Sequence, residues 1–202
     1  YEANDPRRKR TILYLSLKGQ NGQSDTLFQT IYGETTPFYS RNPASGAYPN
    51  PRYNQKIHPS PSMRASIGDN FGYWMNIRIL RYADVVLMFA EAANEVGGSA
   101  NITAARNAVN SVRTRARGTL PATVLPNLTT TDQSELRAAI RKERRFELAM
   151  EHDRFFDLVR WGIAQDVLHA VGKTNFSNTR DVLLPIPQTQ IDLSAGVLTQ
   201  NP

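Results

Sequence analysis

Helical periodicity switches on abruptly near residue 78 and holds through most of the chain from there to residue 193, whereas the stretch before it has none. Residues 78 to 96 place Ile79, Tyr82, Ala83, Val86, Phe89, Ala90 and Ala93 on one stripe at helical spacing. Val85, Met88 and Ala92 make the flank apolar as well, which predicts a helix buried on most sides. Gly97-Gly98 stops it. A second helix, about 102 to 117, has Ala105, Ala108, Val109, Val112 and Ala116 on one face and Arg106, Arg113 and Arg117 on the other, with Gly118 at its end. Two such helices joined by a short Gly/Ser turn form a hairpin on the scale of a tetratricopeptide unit. One hairpin is not a solenoid, because stacking needs about three repeats.

Beyond a linker at 121–131, Asp132-Gln133-Ser134-Glu135 resembles a capping box, with Asp132 as N-cap and Glu135 reaching back. The third helix is expected from there to about Glu151. Asp153 then starts a helical segment with Phe155, Phe156, Leu158, Val159 and Trp161, and a further amphipathic piece covers 163 to 171. Leu184-Pro185-Ile186-Pro187 is extended, since each Pro pushes its predecessor out of helix space. Pro187 suits the first turn of a last short helix through Leu193.

The first 75 residues are of another kind. Thr11 to Leu17 reads as one short strand. From Lys18 to Phe71, Gly, Ser, Asn and six prolines (Pro37, Pro43, Pro49, Pro51, Pro59, Pro61) mark a long irregular section. Its aromatic content predicts an ordered, loop-rich surface. The expected fold class is mainly α. A tetratricopeptide-like hairpin and further packed helices lie behind a long loop-rich section, with little strand. Residues 1–75 are the ligand-facing section and 76–202 the helical region, together one domain and part of a longer protein.

No Cys is present, so disulfides, thiolate zinc sites and cysteine nucleophiles are excluded from this chain. The formal net charge is +6, and the basic residues are 19 Arg against 5 Lys. Guanidinium pairs bidentately with carboxylates, so an internal sink for this charge is the simplest reading. Nucleic-acid binding would need an exposed basic stripe with interleaved aromatics. Arg106, Arg113 and Arg117 share a face, but a charged, solvated helix face is the ordinary explanation, and no nucleic-acid partner is expected.

The most informative positions are Glu143 and Glu147. With Leu136, Ile140 and Met150 they line one stripe of the third helix, which puts two carboxylates among core residues. A glycosidase-like acid/base pair is one reading. Buried carboxylates held by Arg is the other, and it is favoured: adjacent turns of one helix set carboxylates side by side, not across a cleft. Arg78, Arg81, Arg154 and Arg160 are the expected partners. His58, His152 and His169 are isolated, so no metal or cofactor is expected, although an oxygen-ligand calcium site in the loops stays open. Gly172-Lys173-Thr174 is not a phosphate loop, since Val167 stands where the first Gly belongs. Tyr39, Tyr48, Tyr53 and Trp74 in the loop section are the candidate ligand-binding residues, because aromatic faces stack on sugar rings and other amphipathic ligands.

Several segments resemble a known family. Arg81 to Ala92 (RYADVVLMFAEA), Arg141 to Leu148 (RKERRFEL), Arg154 to Gly162 (RFFDLVRWG), Leu184 to Gln188 (LPIPQ) and Leu198 to Pro202 (LTQNP) occur in this order, with the weaker Asp5-Pro6-Arg7 upstream. They are similar to motifs of the SusD/RagB family of outer-membrane nutrient-binding lipoproteins. The resemblance implies the C-terminal portion of a cell-surface protein of Bacteroidetes that binds a nutrient, most often a glycan, without catalysis. It implies tetratricopeptide-like hairpins under a loop-rich face, and a SusC-like TonB-dependent transporter in the outer membrane as partner. It also implies attachment to that membrane only through an N-terminal lipidated Cys, which this chain does not contain. The alternatives are a scaffold region that docks the transporter and an enzyme using Glu143 and Glu147.

Overall fold

A computed structural model describes residues 1–14, 52–57, 76 and 78–201. These group into two compact units, Tyr1–Met150 and Glu151–Pro202. The change in sequence character at 75–76 falls inside the first.

The first unit is built on three helices: α2 (Tyr82–Val96), α3 (Ser99–Arg117) and α4 (Gln133–Glu147). Their shared core is Leu87 and Ala90 from α2, Ile102, Ala105, Val109 and Val112 from α3, and Leu136 and Ile140 from α4. Ala90 and Ala105 are fully buried, and their small side chains permit close helix approach. Gly97 and Gly98 make the α2–α3 turn at φ 74° and 82°, a region costly for other residues. Asn101 Nδ2 caps the Gly97 carbonyl at 2.8 Å. Across the bundle, Asn94 and Gln133 exchange side-chain-to-backbone hydrogen bonds of 3.2 and 2.6 Å, tying the end of α2 to the start of α4.

Several local expectations are revised. Helix α2 starts at Tyr82, not 78, and is not buried on most sides: Tyr82, Val85, Met88 and Phe89 are exposed. The capping box is only half formed. Asp132 Oδ1 accepts from Glu135 N at 2.8 Å, but Glu135 Oε2 accepts from Thr130 Oγ1, and it is Thr130 Oγ1 that takes the Asp132 amide. Helix α4 stops at Glu147, and Met150 sits beyond it at φ 65°.

At the start of the chain, a short helix α1 (Arg7–Thr11) precedes the strand, so Thr11 is helical. Asp5 explains this: its Oδ1 accepts from Arg7 N at 2.9 Å, a side-chain-closed turn that starts the helix. Strand β1 (Ile12–Tyr14) pairs antiparallel with β2 (Arg52–Asn54), aligning Ile12 with Asn54 and Tyr14 with Arg52. A 3₁₀ turn, Gln55–Ile57, follows β2.

In the second unit, α5 (Arg154–Arg160), α6 (Ala164–Ala170) and α7 (Gln188–Leu193) are short. Asp153 makes no side-chain cap on α5. Leu158 and Ala164 are buried, and Phe155 meets Phe156 and Phe176 edge-on at 6.1 and 5.9 Å. Gln200 pairs its amide with the Ile186 backbone in both directions, at 2.8 and 2.9 Å, and Asn201 Nδ2 donates to the Leu184 carbonyl at 2.6 Å. Among the described residues no helix is long and apolar enough to cross a membrane.

Candidate functional site

The polar centre of the first unit gathers on one face of α4. Glu143 and Glu147 are 1% and 4% exposed, on the same stripe as Leu136 and Ile140. An unpaired carboxylate there would be prohibitively costly, so each oxygen must be answered. Glu143 Oε1 accepts from Arg7 Nη1 and Oε2 from Arg113 Nη1 at 2.9 Å. Glu147 Oε2 accepts from Arg7 Nη1 at 3.1 Å, and its Oε1 from Arg81 Nη1 and Arg115 Nη2, both at 2.6 Å. Two further carboxylates hold the cations in place. Asp5 grips Arg7 bidentately at 3.0 and 2.8 Å, and Glu2 grips Arg113 at 2.9 and 2.9 Å. Four carboxylates thus face four guanidiniums.

The electrostatics reflect this arrangement. Burial by itself would raise the Glu147 pKa, but the Arg81 hydrogen bond and the Arg115 and Arg81 charges hold it down to about 2. For Glu2, the Arg113 hydrogen bond is the main cause of a lowered value. Arg7 and Arg113 lose solvation on burial, yet their carboxylate partners raise both pKa values. The cluster ties Arg7 of α1, Arg113 and Arg115 of α3 and Arg81 at the start of α2 to one face of α4.

What it holds in place is the described part of the chain before α2. Helix α4 ends at Glu147, where the last carbonyls lack intrahelical partners and the helix dipole favours cations. Lys56 Nζ and Arg81 Nη2 both donate to the Glu147 carbonyl, at 2.7 and 2.6 Å, and Asn54 Nδ2 donates to that of Met150 at 2.7 Å. Tyr1 stacks on Phe146 at 5.1 Å and donates its hydroxyl to the Phe146 carbonyl at 3.1 Å. Through Asn54 and Lys56, the antiparallel β1–β2 pair and the 3₁₀ turn after it are tied to the C-terminal end of α4.

The expected site residues fare differently. Tyr39, Tyr48 and Trp74 lie outside the described residues. Tyr53 is on β2, opposite Leu13. Arg78 is exposed and makes no ion pair among the described residues, whereas Arg81 pairs with Glu147. Arg154 and Arg160 belong to the second unit, where their guanidiniums lie 5.8 and 4.9 Å from the Trp161 ring centre. Arg160 also pairs with Asp157 at 2.8 Å. The partners that sequence reasoning missed are Arg7, Arg113 and Arg115. Arg113 follows Val112 at the edge of the α3 apolar stripe, a position that signals burial, and it is 3% exposed. The basic face of α3 is likewise not a free stripe: Arg106 donates to the Thr129 carbonyl at 3.3 Å and Arg117 to that of Leu125 at 2.7 Å. Among the described residues no group of three or more His, Asp or Glu could hold a metal ion.

A profile of the SusD family matches residues 1–202. The chain belongs to the SusD family. Two SusD-like proteins of Formosa agariphila, P2 and P25, are 37% and 40% identical over 61% and 63% of this chain. The matches cover 25% and 24% of those proteins, so the chain spans about a quarter of their length. A SusD homologue from Bacteroides thetaiotaomicron shares the fold at a TM-score of 0.69 and 26% identity, over 99% of this chain and 41% of that one. Surface glycan-binding protein A of the same organism shares it at 0.66 and 24% identity, over 100% and 39%. The SusD-like motifs in the sequence supply five of the cluster's eight charged residues, the others being Glu2, Arg113 and Arg115. Asp5-Pro6-Arg7 brings Asp5 and Arg7, the RYADVV segment brings Arg81, and RKERRFEL brings Glu143 and Glu147. Beside them, Asp84 of RYADVV and Arg144 of RKERRFEL form a second buried pair at 2.7 Å.

Proposed function

We propose that this chain belongs to a cell-surface protein of the outer membrane that captures a nutrient of the oligosaccharide class and delivers it uncleaved to a SusC-like TonB-dependent transporter. A lipid anchor elsewhere in the polypeptide would hold it at the membrane. The observation that carries this reading is the SusD-family match along all 202 residues. Surface glycan-binding protein A, named for the ligand this reading expects, has the same fold. The ties from β2 and the turn after it to α4 support this reading, because a ligand-facing section is useful only if a rigid scaffold holds its neighbours. Tyr39, Tyr48, Tyr53 and Trp74 are the proposed stacking residues, with nearby Asn and Arg as hydrogen-bonding partners. Glu143 and Glu147 serve the scaffold.

Calorimetric titration of the full-length polypeptide with a panel of oligosaccharides tests the reading. Binding of at least one glycan is expected. Replacing Tyr39, Tyr48, Tyr53 and Trp74 together by Ala should weaken it about tenfold or more, as loss of stacking aromatics does. Indifference to every glycan, or release of shorter sugars during incubation, would overturn it.

A further inference from the structure

Cations elsewhere in the described residues are commonly engaged, even at the surface. Arg106 and Arg117 hold carbonyls of the linker before α4, Arg137 pairs with Glu95, and Arg180 pairs with Asp181. Helix α1 breaks this habit. Arg7 turns inward, but the next three residues, Arg8, Lys9 and Arg10, are all exposed. None of the three has an ion pair or a side-chain hydrogen bond among the described residues. The carboxylates that precede them are already committed, Glu2 to Arg113 and Asp5 to Arg7. Like charges on consecutive residues repel one another, and an anion bound across them relieves that repulsion.

The position of the three cations indicates which anion. Helix α1 runs directly into β1, and in the β1–β2 pair Leu13 stands opposite Tyr53, one of the proposed stacking residues. Leu13 is three residues on from Arg10, at most about 11 Å along the chain. An aromatic ring near unpaired guanidiniums suits a ligand with both sugar faces and negative charge. The ring takes the apolar side of a sugar, and the guanidinium fork takes a carboxylate or another oxyanion. Arg7 fixes α1 to Glu143 and Glu147, so the cations stand on an element that is already ordered before a ligand arrives. We infer that the captured oligosaccharide is acidic, with carboxylate or sulfate groups engaged by Arg8, Lys9 and Arg10. The inference rests on the glycan-capture reading and narrows it to one ligand class.

Calorimetric titration of the full-length polypeptide with matched pairs tests it: oligogalacturonates against their methyl esters, and sulfated carrageenan oligosaccharides against their desulfated forms. In at least one pair the acidic chain is expected to bind about tenfold or more tightly than its neutral counterpart, with the advantage shrinking at high salt. Arg8→Gln, Lys9→Gln and Arg10→Gln together should erase that advantage, a loss of about tenfold, as for three exposed ion pairs removed at once. Arg78→Gln, Arg145→Gln and Lys173→Gln together remove the same charge from other exposed positions and should preserve it. Neutral chains that bind as well as the acidic ones in both pairs overturn the inference and leave the capture reading standing, whereas indifference to every glycan overturns both. Equal losses in the two triple variants also overturn it, because net charge alone would then account for the preference. So does a first triple variant that titrates like the parent but no longer adsorbs to phosphatidylglycerol vesicles, since its cations would then serve a lipid surface.

Discussion

Arg7 donates through a single terminal nitrogen to both Glu143 and Glu147, across 136 and 140 positions of sequence. Its other guanidinium nitrogens are taken by Asp5. One side chain thereby couples the beginning of the chain to the last two turns of α4, and β1 follows directly after its helix. Arg113 makes the corresponding tie from α3 through Glu143 and Glu2.

Removing Arg7 should be severe. Arg7→Met leaves Glu143 and Glu147 buried with a donor missing and is expected to cost about 3–5 kcal/mol, the range for breaking a buried pair from one side. Arg115 also bonds Glu147, but its side chain is 56% exposed, so Arg115→Met should cost about 1 kcal/mol or less. Urea denaturation midpoints at neutral pH measure both. Equal, small effects would mean that the cluster does not hold the fold.

Acid should weaken the scaffold. The folded-state pKa of Glu147 is depressed to about 2, below its ordinary 4.5, so the ionised form is favoured by folding. The resulting stability is fully present above pH 4.5 and is lost as pH falls toward 2. The lowered Glu2 value acts in the same direction. Thermal midpoints are therefore expected to fall through that window, and Glu147→Gln, already destabilised at neutral pH, should show a shallower fall. A steeper fall in the variant would contradict this sign.

The second unit offers a local test. The Gln200 side chain both accepts from Ile186 N and donates to Ile186 O, acting as a one-residue strand partner for an extended segment that Pro185 and Pro187 keep out of helix. In Gln200→Ala the Ile186 amide loses its partner, so its hydrogen exchange should accelerate by about tenfold or more. Amides in α5, held by their own helix, should be unchanged. Exchange followed by NMR or mass spectrometry reports both.

Much of the fold was legible because helices are local. The 3.6-residue pattern placed α2 and α3 to within a few residues, and Gly97-Gly98 marked the turn between them. The strand expected from Thr11 begins one residue later, since a side-chain-closed turn at Asp5 claims Thr11 for α1. In the candidate site, Glu143 and Glu147 were found because two carboxylates on an apolar stripe must be paired. Arg81 is one of their partners, but Arg7, Arg113 and Arg115 were not foreseen; Arg154 and Arg160 lie over the Trp161 ring, and Arg78 stands exposed.

By itself, then, the sequence determined the helical hairpin, the burial of Glu143 and Glu147, and, through its motifs, the family. These depend on spacing along one helix or on short contiguous strings. Tertiary structure alone decided which guanidiniums answer the carboxylates and which side of α2 is covered. Any of 19 Arg could satisfy the charge rule, and only the packing of α1, α3 and the approach to α2 brings Arg7, Arg113, Arg115 and Arg81 within hydrogen-bonding distance.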